Sequence, residues 1–282
     1  MSILSFGEIL WDVYPDNKYI GGAPLNFAAH FVKQGGSAYM VSALGEDDLG
    51  HLAMKMLDNW DIKTDYVKLI PSVQTGKCLV TLDKSGHPSY ELLQDVAYDH
   101  IECQVKNKEF DALYFGSLAL RGEKNRQSLS NLIKNNEFKE IFVDINIRPP
   151  FYSKETILFA FENATIMKIS EEELPIVMKS LFDCDSDYVS SSKQLSEKFS
   201  NLKLIIVTRG ENGSYAYDCR SGESYCSDAH KVIVVSTVGA GDSFSAAFMY
   251  CYLSGKGIVD CLNHASELSA YVVSKKDAIP EC

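Results

Sequence analysis

The sequence predicts an α/β fold, with a mainly parallel sheet covered by helices. Two observations carry this expectation. Short β-rich runs recur along the chain, and several are apolar without a break, as in Leu204-Ile205-Ile206-Val207. A strand that is apolar on both sides suits a buried parallel sheet rather than one with a wet face. Between these runs lie stretches whose apolar residues fall at helical spacing. Regular alternation of the two kinds argues for one large α/β domain.

Taken in order, Ser2–Phe6 reads as the first strand. Gly7-Glu8-Ile9-Leu10-Trp11-Asp12 follows it, and Asp12 is placed either to accept hydrogen bonds from sugar hydroxyls or to serve a turn. Gly21-Gly22-Ala23-Pro24-Leu25-Asn26 pairs glycines ahead of a helix, with Pro24 near its first position. Leu25, Ala28, Ala29 and Val32 share one face, and Gly35-Gly36 stops that helix. Asn26 offers a donor and an acceptor to a polyol; the plainer reading is a loop-to-helix turn. Ala38–Ala43 is the next strand. Cys78–Leu82, the turn Asp83-Lys84-Ser85-Gly86 and Pro88–Leu93 read as a β-hairpin. With the extended segment after Leu10 it forms either a small separate sheet or an ordinary insertion.

Ala112–Phe115 and Glu140–Asp144 are further strands. The second leads into Asp144-Ile145-Asn146-Ile147-Arg148, at the carboxyl end of a strand, where parallel sheets bind ligands. Arg148 can orient a sugar or hold a phosphate, or simply form a surface ion pair. Thr165–Ile169 precedes Ser170-Glu171-Glu172-Glu173, where a carboxylate can act on magnesium directly or through water; acidic residues also suit a helix start. The polar stretch Asp183 to Lys193 reads as a surface loop. Lys203–Thr208 is a strand, and Thr208-Arg209-Gly210-Glu211-Asn212-Gly213 after it is either a nucleotide-holding turn or a connection between strands.

The strongest local signal comes last. Lys231–Val235 reads as a strand that feeds Ser236-Thr237-Val238-Gly239-Ala240-Gly241-Asp242-Ser243-Phe244. Small residues at Gly239, Ala240 and Gly241 let backbone N–H groups approach an anion at a helix start. Asp242 in the first turn can take a proton from an attacking hydroxyl. The simpler reading makes Asp242 a cap. Phe244, Ala247, Phe248, Cys251 and Tyr252 continue the helix.

Composition narrows the function. The 282 residues are 46% hydrophobic and 23% charged, which excludes a mainly disordered chain. A formal net charge of −11 disfavours nucleic acid as a partner. No apolar run reaches the roughly 18–20 residues of a membrane helix. The first residues do not read as a signal peptide. The eight cysteines form no Cys-x-x-Cys pair. Zinc and dithiol chemistry are therefore disfavoured, and mostly buried thiols in a reducing cytoplasm are expected, with Cys282 exposed at the end. The serine-hydrolase, zinc-protease and protein-kinase patterns are missing.

These motifs together resemble the ribokinase-like (PfkB) sugar kinases. Gly21–Ala29 is similar to that family's N-terminal signature, and Ser236–Phe244 to its C-terminal one, D-T-x-G-A-G-D-x-F, except at the first position. The likeness runs in the same order from Gly7-Glu8 to Ala278-Ile279-Pro280. The fructokinase branch is nearest, on Gly22-Ala23-Pro24-Leu25-Asn26, Val41-Ser42-Ala43-Leu44-Gly45, Asp47-Asp48-Leu49-Gly50 and Asn146-Ile147-Arg148-Pro149.

The resemblance implies a single kinase domain over 1–282. It would be a three-layer, Rossmann-like, mainly parallel sheet with a small β-lid near 11–20 and 76–95, often completed by a homodimer partner. It implies Asp242 as general base and Gly239, Ala240 and Gly241 as anion hole. Asp12, Gly22, Asn26, Asn146 and Arg148 fall on the sugar side. Thr208, Gly210, Gly213, Asn263 and Ser266 fall on the nucleotide side, and Glu173 on magnesium. The expected reaction is ATP-dependent phosphorylation of a sugar, fructose first. Ribose, another ketose, a keto-deoxy sugar acid or a nucleoside is the alternative acceptor. A non-catalytic sugar-binding protein of the same fold, and a nicotinamide dehydrogenase, are weaker alternatives. Ser236 stands where the family commonly has Asp, and Asp277 where Gly commonly precedes Ala278. Potassium activation is left open at these two positions.

Overall fold

The computed structural model describes residues 1–82, 88–103, 105–106 and 108–281. The chain begins with β1 (Ser2–Phe6), β2 (Leu10–Val13), β3 (Lys18–Gly21), α1 (Ala23–Lys33), β4 (Ser37–Gly45), α2 (Asp48–Asn59) and β5 (Lys63–Ile70). It continues through β6 (Gly76–Leu82), β7 (Pro88–Leu92), β8 (Glu109–Phe115), α3 (Glu123–Lys134), β9 (Glu137–Asp144), α4 (Lys154–Asn163) and β10 (Ile166–Ser170). It ends with α5 (Leu174–Phe182), α6 (Tyr188–Lys198), β11 (Leu204–Thr208), β12 (Ser214–Asp218), β13 (Ser224–Ser227), α7 (Ala240–Leu253) and α8 (Ile258–Val273).

Nine strands form one sheet in the order β13-β12-β11-β10-β9-β8-β1-β4-β5. Its pairs run parallel from β11 to β5, and β12 and β13 close one edge antiparallel. Successive side chains point to opposite faces of a strand, and both faces here are apolar. Leu4, Phe115 and Val143 join α3 to α6 on one side. Ile3, Tyr114 and Phe142 join α1, α2, α7 and α8 on the other. The fold is therefore the helix-covered, mainly parallel sheet that the unbroken apolar runs predict, in the three layers that the resemblance implies.

The hairpin belongs to a second sheet of four strands, ordered β3-β2-β6-β7. Asp12 on β2 lies in parallel register beside Cys78 on β6. Leu10, Cys78, Val96, Tyr98 and Leu118 give this sheet its own small core. The expected turn Asp83-Lys84-Ser85-Gly86 and the terminal Cys282 lie outside the described residues.

Two expectations fail. Lys231–Val235 is not a strand, because β13 already occupies the sheet edge beside β12. β-propensity measures fit to a pleated, half-buried surface, and that place is taken. The segment instead crosses the end of α8, where the N–H groups of Val235 and Ser236 donate to the Val273 carbonyl at 2.8 and 3.2 Å. It leaves Ile233 86% exposed. Second, the polar stretch Asp183–Lys193 is loop only at its start, because α6 begins at Tyr188. Asp187 caps that helix by accepting from the N–H groups of Val189 and Ser190, and Leu195 anchors it in the core.

The thiols are also less buried than expected. Among the described residues, only Cys78 and Cys261 are fully buried, Cys226 is exposed, and all seven cysteines are free. No helix of the described residues is long and apolar enough to cross a membrane.

Candidate active site

The start of α7 is shaped by Gly239, which has φ 79°, in the left-handed region. A Cβ at this position would also lie 2.8 Å from the Ala278 Cβ. Backbone freedom and lack of a side chain are both needed there. The Ala240 N–H donates back to the Thr237 carbonyl at 3.3 Å, whereas the Gly241 and Asp242 amides have no carbonyl four residues back within the helix. Both residues line the cleft, so this helix end can receive an anion.

Asp242 sits two positions into α7 and is buried. Its carboxylate accepts a hydrogen bond from Asn26 Nδ2 at 2.7 Å, across 216 residues of chain. The side chain thus points into the cleft rather than capping its own helix. Asn26 is placed by the turn before α1. Gly22 has φ 117°, and a Cβ there would lie 2.4 Å from the Glu8 carbonyl oxygen. Close approach brings Glu8 Oε1 to the Ala23 N–H at 3.3 Å. Two buried oxygens here, Glu8 Oε2 and Asn26 Oδ1, have no partner among the described residues.

Desolvation dominates this corner. Burial raises the Glu8 carboxyl to about 7, with the Asp242 charge adding to the effect. Burial also raises Asp242 to about 6, against the lowering bond from Asn26. Both carboxyls therefore titrate near neutrality.

Beneath them, at the carboxyl ends of β9 and β10, Lys168 Nζ meets Asp144 Oδ2 at 2.7 Å. Ser245 Oγ donates to the same Asp144 oxygen at 3.0 Å. Glu173 lies beside this pair and is held by two backbone donors, Ile147 N–H at 2.6 Å and Ser170 N–H at 2.8 Å. Asp12 faces the cleft from the small sheet, and burial raises its carboxyl. The neighbouring Cys78 thiol is pushed up to about 11 by burial and by the Asp12 charge.

A continuous cleft of about 3190 Å³ runs past these groups. It exceeds the roughly 300–1,000 Å³ of an ordinary small-molecule pocket, so it has room for two ligands side by side. Asp12, Gly22, Asn26, Asn146, Arg148, Glu173, Thr208, Gly210, Gly213, Gly239–Asp242 and Ser266 all line it. Asn263 is not brought in. It accepts from Ser227 Oγ at 2.8 Å and lines a separate shallow depression with Asp228 and His264. Lys168 carries no motif, but a lysine inside Ile166-Met167-Lys168-Ile169 breaks an otherwise apolar strand, and that was its signal.

Comparison with known proteins decides the family. The model of the "pfkB family carbohydrate kinase" matches residues 6–282. The chain belongs to this family. As a pfkB-family carbohydrate kinase it is 30% identical to "Probable fructokinase-4" of Arabidopsis thaliana, over 99% of this chain and 92% of that protein. Its fold is shared with a fructokinase with bound ATP from Xylella fastidiosa, at TM-score 0.84 and 20% identity, covering 99% of this chain and 94% of the other. It is shared equally with aminoimidazole riboside kinase of Salmonella enterica, at TM-score 0.84 and 20% identity, covering 99% and 96%.

The residues of the pfkB-family site fit a magnesium ion of one kind. Among the described residues no three His, Cys, Asp or Glu side chains gather as a ligand set. Both Glu173 oxygens already accept backbone bonds. That suits an ion carried mainly by nucleotide phosphates and waters, with one carboxylate behind a water.

Proposed function

We propose that this sugar kinase transfers the terminal phosphoryl group of ATP to a primary hydroxyl of fructose. The single observation that supports the mechanism most is the buried, Asn26-bonded Asp242 at the glycine-led start of α7. The fructokinase relative supports the choice of sugar, and the ATP-bound neighbour of the same fold supports the donor.

The acceptor occupies the half of the cleft under the small sheet, which serves as the lid. Asp12 and the open Asn26 oxygen accept from its hydroxyls, and Arg148 approaches from the rim. The nucleotide lies on the other half, along Thr208–Gly213 and Ser266. Val232, Val234, Val235 and Val238 expose apolar surface to that half, a surface suited to the flat face of a base. Glu173 would hold magnesium. The ion, when bound, neutralises phosphate charge.

Asp242 takes the hydroxyl proton as the acceptor oxygen attacks the terminal phosphorus. The new O–P bond forms while the bond to the bridging oxygen breaks, and ADP leaves with that electron pair. The amides of Gly241 and Asp242 stabilise charge on the transferring oxygens. A second copy pairing at the open β3 edge, where Tyr19 is exposed, would complete the lid; sedimentation velocity tests this.

The test of function is ADP release from MgATP with fructose, ribose, glucose, keto-deoxygluconate and adenosine. Fructose is expected to give the highest kcat/KM. Turnover on another acceptor alone overturns the sugar assignment and keeps the mechanism. Silence on all five overturns the kinase reading of this acceptor set.

A further inference from the structure

The floor of the cleft holds a charged pair that the mechanism above does not use. Lys168 and Asp144 are register partners on adjacent parallel strands, and their side chains are only 5% and 3% exposed. Lysine is almost never buried so deeply without a partner. A buried ion pair is also weak evidence for stability, because well-packed apolar residues commonly do as well. The location gives a better reason for keeping it.

Lys168 lies directly under the anion-binding end of α7. A Cβ built on Gly241 would sit 3.4 Å from Lys168 Nζ. With glycine there, no side chain separates the ammonium from the first turn. The helix end carries partial positive charge, so a fixed cation beside it is repelled unless an anion occupies the same place. Asp144 answers part of that charge, yet Asp144 is also shared with Ser245 Oγ. What remains exposed of Lys168 lines the cleft. Burial by itself favours the neutral amine, but the Asp144, Glu173 and Asp242 charges outweigh it and keep Lys168 protonated. Asp242 does not need Lys168 as a bonding partner, since Asn26 supplies that bond.

We propose that Lys168 is a further residue of the transfer centre, its ammonium forming the fixed cation beneath the anion hole that binds the terminal phosphoryl group of the nucleotide. This rests on the ATP-dependent reading above and adds a residue to it. The cation is held between the base side, at Asp242, and the metal side, at Glu173. It is therefore placed to meet negative charge as the phosphoryl group passes from one oxygen to the other. Asp144 fixes its direction and keeps it charged before the nucleotide arrives.

The experiment compares MgATP with MgADP by titration calorimetry on the wild-type protein, on Lys168→Met and on the charge-neutral double variant Lys168→Met/Asp144→Asn. ADP lacks the group that Lys168 is assigned to hold. Loss of one charge-assisted contact should weaken ATP by about tenfold or more, and ADP by less than about twofold. Turnover should fall by roughly 100-fold or more, with the acceptor KM little changed. The double variant removes the stranded Asp144 charge, so it carries the test if Lys168→Met does not fold. Neutralising both partners should restore packing without restoring ATP preference or turnover. Equal weakening of ATP and ADP, no weakening of either, or recovered turnover in the double variant would each overturn the proposal. If the wild type binds ATP but phosphorylates none of the five acceptors, only the acceptor reading fails, and the nucleotide comparison still decides Lys168. If the wild type binds neither nucleotide, both readings fall together.

Discussion

The two halves of the cleft are built differently. On the proposed acceptor side, Glu8, Asn26 and Asp242 are all buried, as are Asp144 and Lys168 in the floor of the cleft. Most of their polar atoms are tied to one another or to backbone. On the proposed nucleotide side, Gly210, Glu211 and the Val232–Val235 segment are open to solvent. A base for proton transfer must be aimed within a fraction of an ångström, and burial supplies that precision while raising its proton affinity. A nucleotide offers a flat base and repeated phosphates, so open apolar surface and backbone amides suffice to hold it. The proposed mechanism thus puts the chemistry where burial is dense and leaves the open half mainly for binding.

The sharpest way to break this contrast is at Asp242. Asp242→Asn should fold and bind nucleotide but lose roughly 100- to 10,000-fold in kcat. Near-normal turnover in the folded variant would remove Asp242 as the base.

The next effect is on pH. As the proposed base, Asp242 must be ionised to accept a proton, and its carboxyl is raised to about 6. The acid limb of kcat/KM should therefore fall as pH drops through about 6. In Asn26→Ala the bond that lowers this value is gone, so the limb should move to higher pH, with kcat falling about tenfold or more. A limb that stays in place would separate Asn26 from the base.

Glu8 tests burial through stability. Its folded carboxyl is raised to about 7 from 4.5. The proton-linked stability is therefore complete below about 4.5 and is lost as pH rises through 7. Glu8→Gln keeps the shape and removes the charge. It should raise stability at pH 8 by about 1–3 kcal/mol relative to pH 5, read from denaturant midpoints at the two pH values.

The smallest effect lies on the open side. Val234 is 61% exposed, so Val234→Ser should leave stability within about 0.5 kcal/mol. Nucleotide KM should rise several-fold with kcat unchanged, about what losing part of one apolar contact costs. An unchanged KM would move the base away from this segment.

Six of the seven expected strands of the large sheet were legible because their apolar runs state burial on both faces directly. The glycine-led starts of α1 and α7 were legible because turn geometry is local. The seventh run, Lys231–Val235, shows the limit. Its β-branched residues have strand propensity, but whether a strand forms depends on an available edge, and β13 had taken it. Asp187 explains the other miss, because one capping carboxylate converted part of a polar stretch into α6.

By itself, the sequence determined the layered α/β class, the two glycine turns and the presence of Asp242 at a helix start. Each depends on residues close together in the chain. Only the tertiary structure decided that Asn26 bonds Asp242, that Lys168 lies under Gly241, and that Asn263 stands outside the cleft. Those relations depend on strand order and helix placement. Burial sets the proton affinities of Glu8 and Asp242, and burial exists only once distant segments have packed.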